Sequence, residues 1–103
     1  MNFTWNEAKR KANLKKHGLD FADAETVFAG YTLTWPDTRF AYTENRFSTV
    51  GLLGVEVVVI AHTETVDEIH IISMRKAERH EQKNYFANFW WFGWGAHLDG
   101  RWF

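Results

Sequence analysis

The spacing of apolar positions changes period along the chain, and each change marks an element. Phe3-Thr4-Trp5 alternates apolar and polar, which predicts a short first strand. Asn6 follows as a helix N-cap, and Glu7 puts negative charge at the positive end of the helix dipole. Residues 7–17 are strong helix formers that close on Lys15, Lys16 and His17, with Gly18 just past the end. Trp5, Ala8 and Ala12 share a face, predicting a helix with a thin buried side and a basic surface elsewhere. Asp20 restarts a helix with Asp23 in a capping-box-like relation, and Phe21, Ala24, Val27 and Phe28 form its core stripe up to Gly30. From Tyr31 the period is two: Tyr31, Leu33 and Trp35 alternate with threonines until Pro36-Asp37. Arg39–Tyr42 reads as a short extended piece and Arg46–Leu53 as a strand, with a turn at Gly54 before Val55–His62. The apolar run Val57–Ala61 predicts a central strand buried on both faces. Asp67 sits in a turn, Ile69–Ser73 is the last strand, and residues 75–86 return to a helix that sets Arg75, Arg79 and Lys83 close to one face.

A strand, two helices, a run of strands and a final helix predict an α+β domain. In it, two N-terminal helices and a C-terminal helix pack on a small antiparallel sheet. Residues 86–103 hold eight aromatics and follow neither period, so the domain is expected over 1–85 with an aromatic tail over 86–103. The tail reads equally as a segment that docks on the domain or a partner, or as a non-native reading frame.

Composition narrows the class. At roughly 100–150 residues per domain, 103 residues make one domain, and 46% apolar with 24% charged residues is ordinary for a globular protein. The absence of cysteine excludes disulfides, thiolate catalysis and Cys-ligated metals. The opening residues carry no apolar h-region, and no uncharged apolar run approaches the ~20 residues a membrane span needs, so a cytoplasmic location with no membrane partner is expected. A net charge of −1 argues against avid non-specific nucleic-acid binding. It conceals a basic first segment, where Lys9, Arg10, Lys11, Lys15 and Lys16 face Glu7 alone, and a second basic cluster over 74–85. Local phosphate contact stays open.

Several segments then match one family in order and spacing. They are Phe3-x-Trp5-Asn6; Lys15-Lys16-His17-Gly18-Leu19-Asp20-Phe21 with Ala24 and Val27-Phe28; Glu44-x-Arg46 ahead of Gly51; and Ile71-Ile72-Ser73-Met74-Arg75-Lys76-Ala77 followed by Glu78, Arg79 and Tyr85. Over residues 3 to about 85 the chain resembles the BrnT-type toxins of bacterial type II toxin–antitoxin modules. The aromatic tail departs from that pattern, as does Met74, where a small residue is common. The resemblance implies a RelE-like fold and a metal-independent endoribonuclease that arrests growth until a cognate antitoxin covers it. That antitoxin would be a BrnA-like ribbon–helix–helix protein, and operator DNA would be met only through it. The competing function is a non-catalytic antitoxin-binding module in autorepression. A third, owing nothing to the family, is a small interaction domain anchored by its tail.

Cutting RNA without a metal requires a base for the 2′-hydroxyl, charge stabilisation at phosphorus and an acid for the 5′-oxygen. Arginine suits the second role, because its planar fork donates two parallel hydrogen bonds to phosphate. Arg46 opens a strand, Arg75 closes one and Arg79 follows, so the three are expected to converge at one sheet edge. Arg75 and Arg79 read equally as solvated charges paired with Glu78 and Glu81. His17, His62 and His80 are candidate proton carriers. His17 also suits a helix C-terminus, His62 a polar strand end, and His80 a solvated surface. His70 reads as a structural strand residue, and His97 in the tail carries no reading. The histidine spacings match no zinc pattern, so no metal and no cofactor is expected. Glu44, two residues before Arg46, would share its side of a strand and either orient it or form an exposed ion pair with it. The candidate catalytic set is Arg46, Arg75, Arg79, His17 and Glu44, with Lys15, Lys16, Lys76 and Lys83 on the RNA backbone. Tyr31, Trp35 and Tyr42 are either core aromatics or base-stacking platforms.

Overall fold

The helix boundaries read at the N-terminus hold in the computed structural model, which describes residues 1–38 and 44–90. The Arg39–Tyr42 piece and residues 91–103 lie outside the described residues. After strand β1 (Asn2–Trp5), the Asn6 side chain accepts from the Lys9 amide at 3.0 Å and opens helix α1 (Glu7–His17). Gly18 closes it in the left-handed region at φ 72°, its amide bonded to the Leu14 carbonyl at 2.8 Å. Asp20 caps the next turn through the Ala22 amide at 2.9 Å. The second helix is broken, however: a 3-10 turn over Phe21–Asp23 leads into helix α2 (Ala24–Ala29).

Strands β2 (Thr32–Pro36), β3 (Phe47–Leu53), β4 (Glu56–Glu64) and β5 (Glu68–Lys76) then lead to helix α3 (Arg79–Trp90). They form one sheet in the order β1-β5-β4-β3-β2. The sheet is mixed rather than antiparallel, because β1 runs parallel to β5, with Phe3 opposite Ile69 and Trp5 opposite Ile71. The remaining pairs are antiparallel. The chain leaves β1 at one sheet edge, crosses one face as α1 and α2, and re-enters at the opposite edge as β2. Nothing in a three-residue alternation encodes the direction of its partner.

Both faces of β4 are covered, as its apolar run requires. Val58 and Ile60 pack with Phe21, Ala24, Val27, Ile71 and Met74 beneath α1 and α2. Val57 and Val59 turn the other way, onto Val50, Ala77 and Tyr85 of α3. Gly51 marks the closest approach: a Cβ there would lie 2.7 Å from Val27 Cγ1 and 3.0 Å from Thr32 Cγ2.

Two further expectations fail for identifiable reasons. Ala8 and Ala12 are exposed, and the inward side of α1 carries the polar residues Arg10, Asn13 and His17. Arg10 reaches Asp20, with Nη1 3.0 and 3.2 Å from its two carboxylate oxygens. Asn13 is buried, and its amide donates to the carbonyls of Met74 (2.9 Å) and Leu19 (3.2 Å) while its oxygen accepts from the Met74 amide (3.2 Å). Since β1 pairs β5 only as far as Ile71, Asn13 takes the place of a further β1 residue on that open strand edge.

The second failure concerns residues 75–78, which are not helical. Pairing with β4 holds Arg75 opposite Val59 and Lys76 opposite Val58, and the Ala77 amide reaches the Val57 carbonyl at 2.9 Å. The helix starts only where that ladder ends, with the Glu81 carboxylate accepting from the Glu78 amide at 2.8 Å as half of a capping box. Arg75 therefore shares no helix face with Arg79 and Lys83. At its other end α3 continues through Trp90, so residues 86–90 of the expected tail are helical.

Candidate functional site

The end of α1 and the end of β5 meet at an open cleft of ≈ 570 Å3, lined by Lys16, His17, Arg75, Lys76 and Glu78. Two anchors set this geometry. Asn13 holds α1 against β5 one turn before Lys16 and His17. The β4–β5 ladder fixes Arg75, whose guanidinium is clamped by Glu81: Nη1 and Nη2 lie 2.8 and 2.9 Å from its two oxygens. Nη1 also donates to the Lys76 carbonyl at 3.3 Å. Glu81 is held below the usual carboxylate range, first by Arg75 and then by the Glu78 amide, against the opposing cost of burial. The expected alternative of paired charges is thus met for Arg75. Even so, the Arg75 side chain is 37% exposed against 14% for Glu81, so the pair presents its cationic side to the cleft. Lys76 is more loosely held, 3.9 Å from Glu56 at the surface, where such a pair contributes little.

The other expected site residues lie elsewhere. Lys15 is exposed on α1 outside the cleft lining. Arg79 and Lys83 line a separate groove of ≈ 500 Å3 on the outer side of α3, with Gln82, Phe86 and Ala87. Arg46 Nε donates to Glu44 at 2.8 Å, giving the expected pair in a largely exposed setting. Val50 of β3 stands level with Val59, which pairs Arg75. Arg46 lies four residues before Val50, roughly 13 Å away along the strand at the usual rise. The expected convergence of Arg46, Arg75 and Arg79 is therefore not observed. It rested on Arg75 ending a shorter strand and Arg79 following it along one helix.

His62 is a core residue and not a strand-end terminator. Its side chain is fully buried, with Nε2 2.7 Å from Thr49 Oγ1, which is itself 2.7 Å from Thr34 Oγ1. Its ring lies against Phe28 and Phe47, at centroid distances of 5.2 and 5.9 Å. Nδ1 lies 3.4 Å from a Glu64 carboxylate oxygen, without the geometry of a hydrogen bond. Burial pushes this imidazole down to about 4, outweighing a backbone contact at Thr63 that acts the other way. His70, as expected, is structural, with Nδ1 2.9 Å from Thr4 Oγ1 across the β1–β5 pair.

Among the described residues, the group able to bring three metal ligands together is Glu78, His80 and Glu81, and the Glu81 carboxylate is already committed to Arg75. Sequence reasoning missed Asn13, which has no distinguishing spacing on a polar helix. It offered Glu81 as a partner for Arg75 but missed its second role as the cap on the Glu78 amide, whose signal was its place at the third position of α3.

The fold and cleft together define a small α+β domain that gathers cationic side chains and one imidazole at the junction of a helix end and a strand end. A family model described as the ribonuclease toxin, BrnT, of type II toxin–antitoxin systems matches residues 5–81, and the chain belongs to this family. The match runs from the end of β1 to Glu81 and so takes in every residue lining the cleft. A search among curated proteins finds no match. Family membership makes the chain a type II toxin, and a type II module has an antitoxin as its second component. Among the described residues, no helix is long and apolar enough to cross a membrane.

Proposed function

We propose that the chain is a metal-independent, RelE-like endoribonuclease whose reaction centre is the cleft around Arg75. The observation that carries this reading is the placing of Lys16, His17, Arg75 and Lys76 on one cleft by elements distant in sequence. Arg75 and the two lysines hold the scissile phosphate and its neighbours. Arg75 comes pre-oriented by Glu81, so little reorganisation is needed when negative charge builds at phosphorus. His17 takes the proton from the 2′-hydroxyl. That oxygen attacks phosphorus, the bond to the 5′-oxygen breaks, and the departing oxygen is protonated to leave a cyclic phosphate and a free 5′-hydroxyl. Lys15 extends the backbone track on the α1 side. Arg79 and Lys83 extend it along α3, and the Glu44–Arg46 pair lies on the approach rather than at the centre.

In the cell this activity stops growth in the cytoplasm until a BrnA-like ribbon–helix–helix antitoxin covers the cleft, and operator DNA is reached through that antitoxin. The test is purified protein with labelled RNA. Arg75→Ala lowers cleavage by about 10²–10³ when assayed well below its own melting temperature, since losing one donor to a developing oxyanion costs that much. It also lowers the melting temperature, because Glu81 loses its partner. Arg75→Lys recovers only part, lacking the two-pronged contact. Cleavage persists in EDTA. Full activity in Arg75→Ala, or its loss in EDTA, refutes the assignment.

A further inference from the structure

On the α3 side of the sheet, Arg75 borders a second, smaller hollow. This one is ≈ 250 Å3 in volume, and Trp35, Asp37, Ser48, Val59 and Glu81 line it together with Arg75. The register explains the grouping. Leu33 pairs Val50, Val50 pairs Val59 and Val59 pairs Arg75, while Trp35 pairs Ser48 one step along the same face. The clamped Arg75–Glu81 pair and Trp35 both line it.

Of the three aromatics the sequence offered as stacking platforms, the described structure separates two. Tyr31 packs its ring against Tyr85 at 5.5 Å within the α3 core cluster. Trp35 stands on the edge strand β2, is 38% exposed, and makes no ring contact among the described residues. An indole facing solvent beside a cationic cleft is the element that single-stranded nucleic-acid sites use to hold a base. The hollow is below the roughly 300–1,000 Å3 of sites for drug-sized ligands, which suits one planar ring system. It abuts the cleft through a shared residue, and a base and its own phosphate are likewise neighbours in one nucleotide.

We infer that the Trp35–Arg75 hollow is a nucleobase subsite: it receives one unstacked base of a single-stranded RNA whose adjoining phosphate lies in the Lys16–Arg75 cleft. Trp35 supplies the stacking face, and Ser48 lines the same hollow with a hydroxyl for a polar edge of the base. This rests on the ribonuclease reading for the identity of the polymer, but it concerns binding and is testable without cleavage. A duplex keeps its bases stacked and paired and cannot fill the hollow, so the toxin selects single strands or loops.

The experiment measures binding of the full chain by fluorescence anisotropy. The probes are an uncleavable 2′-O-methyl RNA oligomer, the same oligomer with abasic residues through its centre, and its duplex. One base stacked on an aromatic ring is worth about 5- to 150-fold in affinity. The parent binds the intact single strand tighter than the abasic strand or the duplex by a factor in that range. Trp35→Leu, which keeps apolar bulk on the edge strand, loses that factor for the intact strand and changes nothing for the abasic one. Trp35→Phe retains most of it. An intact-to-abasic ratio near one in the parent, or an unchanged ratio in Trp35→Leu, overturns the subsite. The subsite stands if both ratios behave as stated while the parent cleaves no ordinary RNA; in that case it is the ribonuclease reading that fails.

Discussion

Replacing Asn13 with leucine removes the peg that holds α1 on the open edge of β5. The side chains share their branching, so the change removes the hydrogen bonds and adds methyl bulk at the same positions. It strips partners from the Met74 amide, the Met74 carbonyl and the Leu19 carbonyl, all served by this one amide group. Met74 is fully buried and Leu19 nearly so, leaving water little access to replace those bonds. Each buried polar group left without a partner costs about 1–3 kcal/mol, with carbonyls tolerating it better than amides. Burying the leucine methyls returns about 1.5–3 kcal/mol. The net loss is then on the order of 2–5 kcal/mol, a large share of the ~5–15 kcal/mol that holds a domain of this size. At about 4–8 °C per kcal/mol, Tm falls by on the order of 8–40 °C. Thermal and urea melts followed by circular dichroism measure it. Below the lowered Tm, RNA cleavage should also weaken, since Lys16 and His17 sit one turn beyond the peg. An Asn13→Leu variant that melts within about 3 °C of the parent would refute the claim that this side chain completes the sheet edge.

Three further outcomes follow from the core and the cleft. Val58→Asp puts a carboxylate with no partner in the fully buried centre of β4 and should cost several kcal/mol, read as loss of a cooperative melt. Gly51→Val forces branches into Val27 and Thr32, where even a Cβ is too close, and should lower stability by at least ~1–3 kcal/mol in the same melts. His62 sets an acid limb. Its folded pKa of about 4 lies below the ~6.5 of an unfolded histidine, so between these values the unfolded chain binds the extra proton. Its contribution is full above pH ~6.5, falls with pH through that window, and amounts to at most ~3 kcal/mol by pH ~4. Urea melts from pH 7.5 to 4 should show this slope in the parent, and His62→Gln should flatten it. An unchanged slope would mean that the Glu64 carboxylate, 3.4 Å from Nδ1, offsets the burial.

How much of this was legible in the sequence depended on whether the signal was local. The caps at Asn6, Gly18 and Asp20 and the central strand over Val57–Ile60 are set by residues within a few positions of one another. They appeared where the pattern put them. The direction of β1 and the extension of β5 through Lys76 depend on partners about 65 and 18 residues away, which periodicity does not carry. The site divides along the same line. Lys16 and His17 could be named from a helix end, and Arg75 and Lys76 from a strand end, but their meeting is a tertiary fact. It is produced by an asparagine that the sequence presents as one more polar residue on a polar helix. The misreading of α1 shows the mechanism. Apolar stripes locate a buried face only when burial is apolar, and here Arg10 and Asn13 go inward because Asp20 and the β5 edge satisfy their hydrogen bonds. A helix anchored by bonds rather than by packing has few apolar contacts to position it, so the placing of its last turn, and with it one wall of the cleft, rests on Asn13 and the Arg10–Asp20 pair. Variants at these two points should therefore weaken RNA cleavage even below their lowered Tm, where the sheet is still folded, whereas variants at Val58 or Gly51 should remove fold and cleavage together.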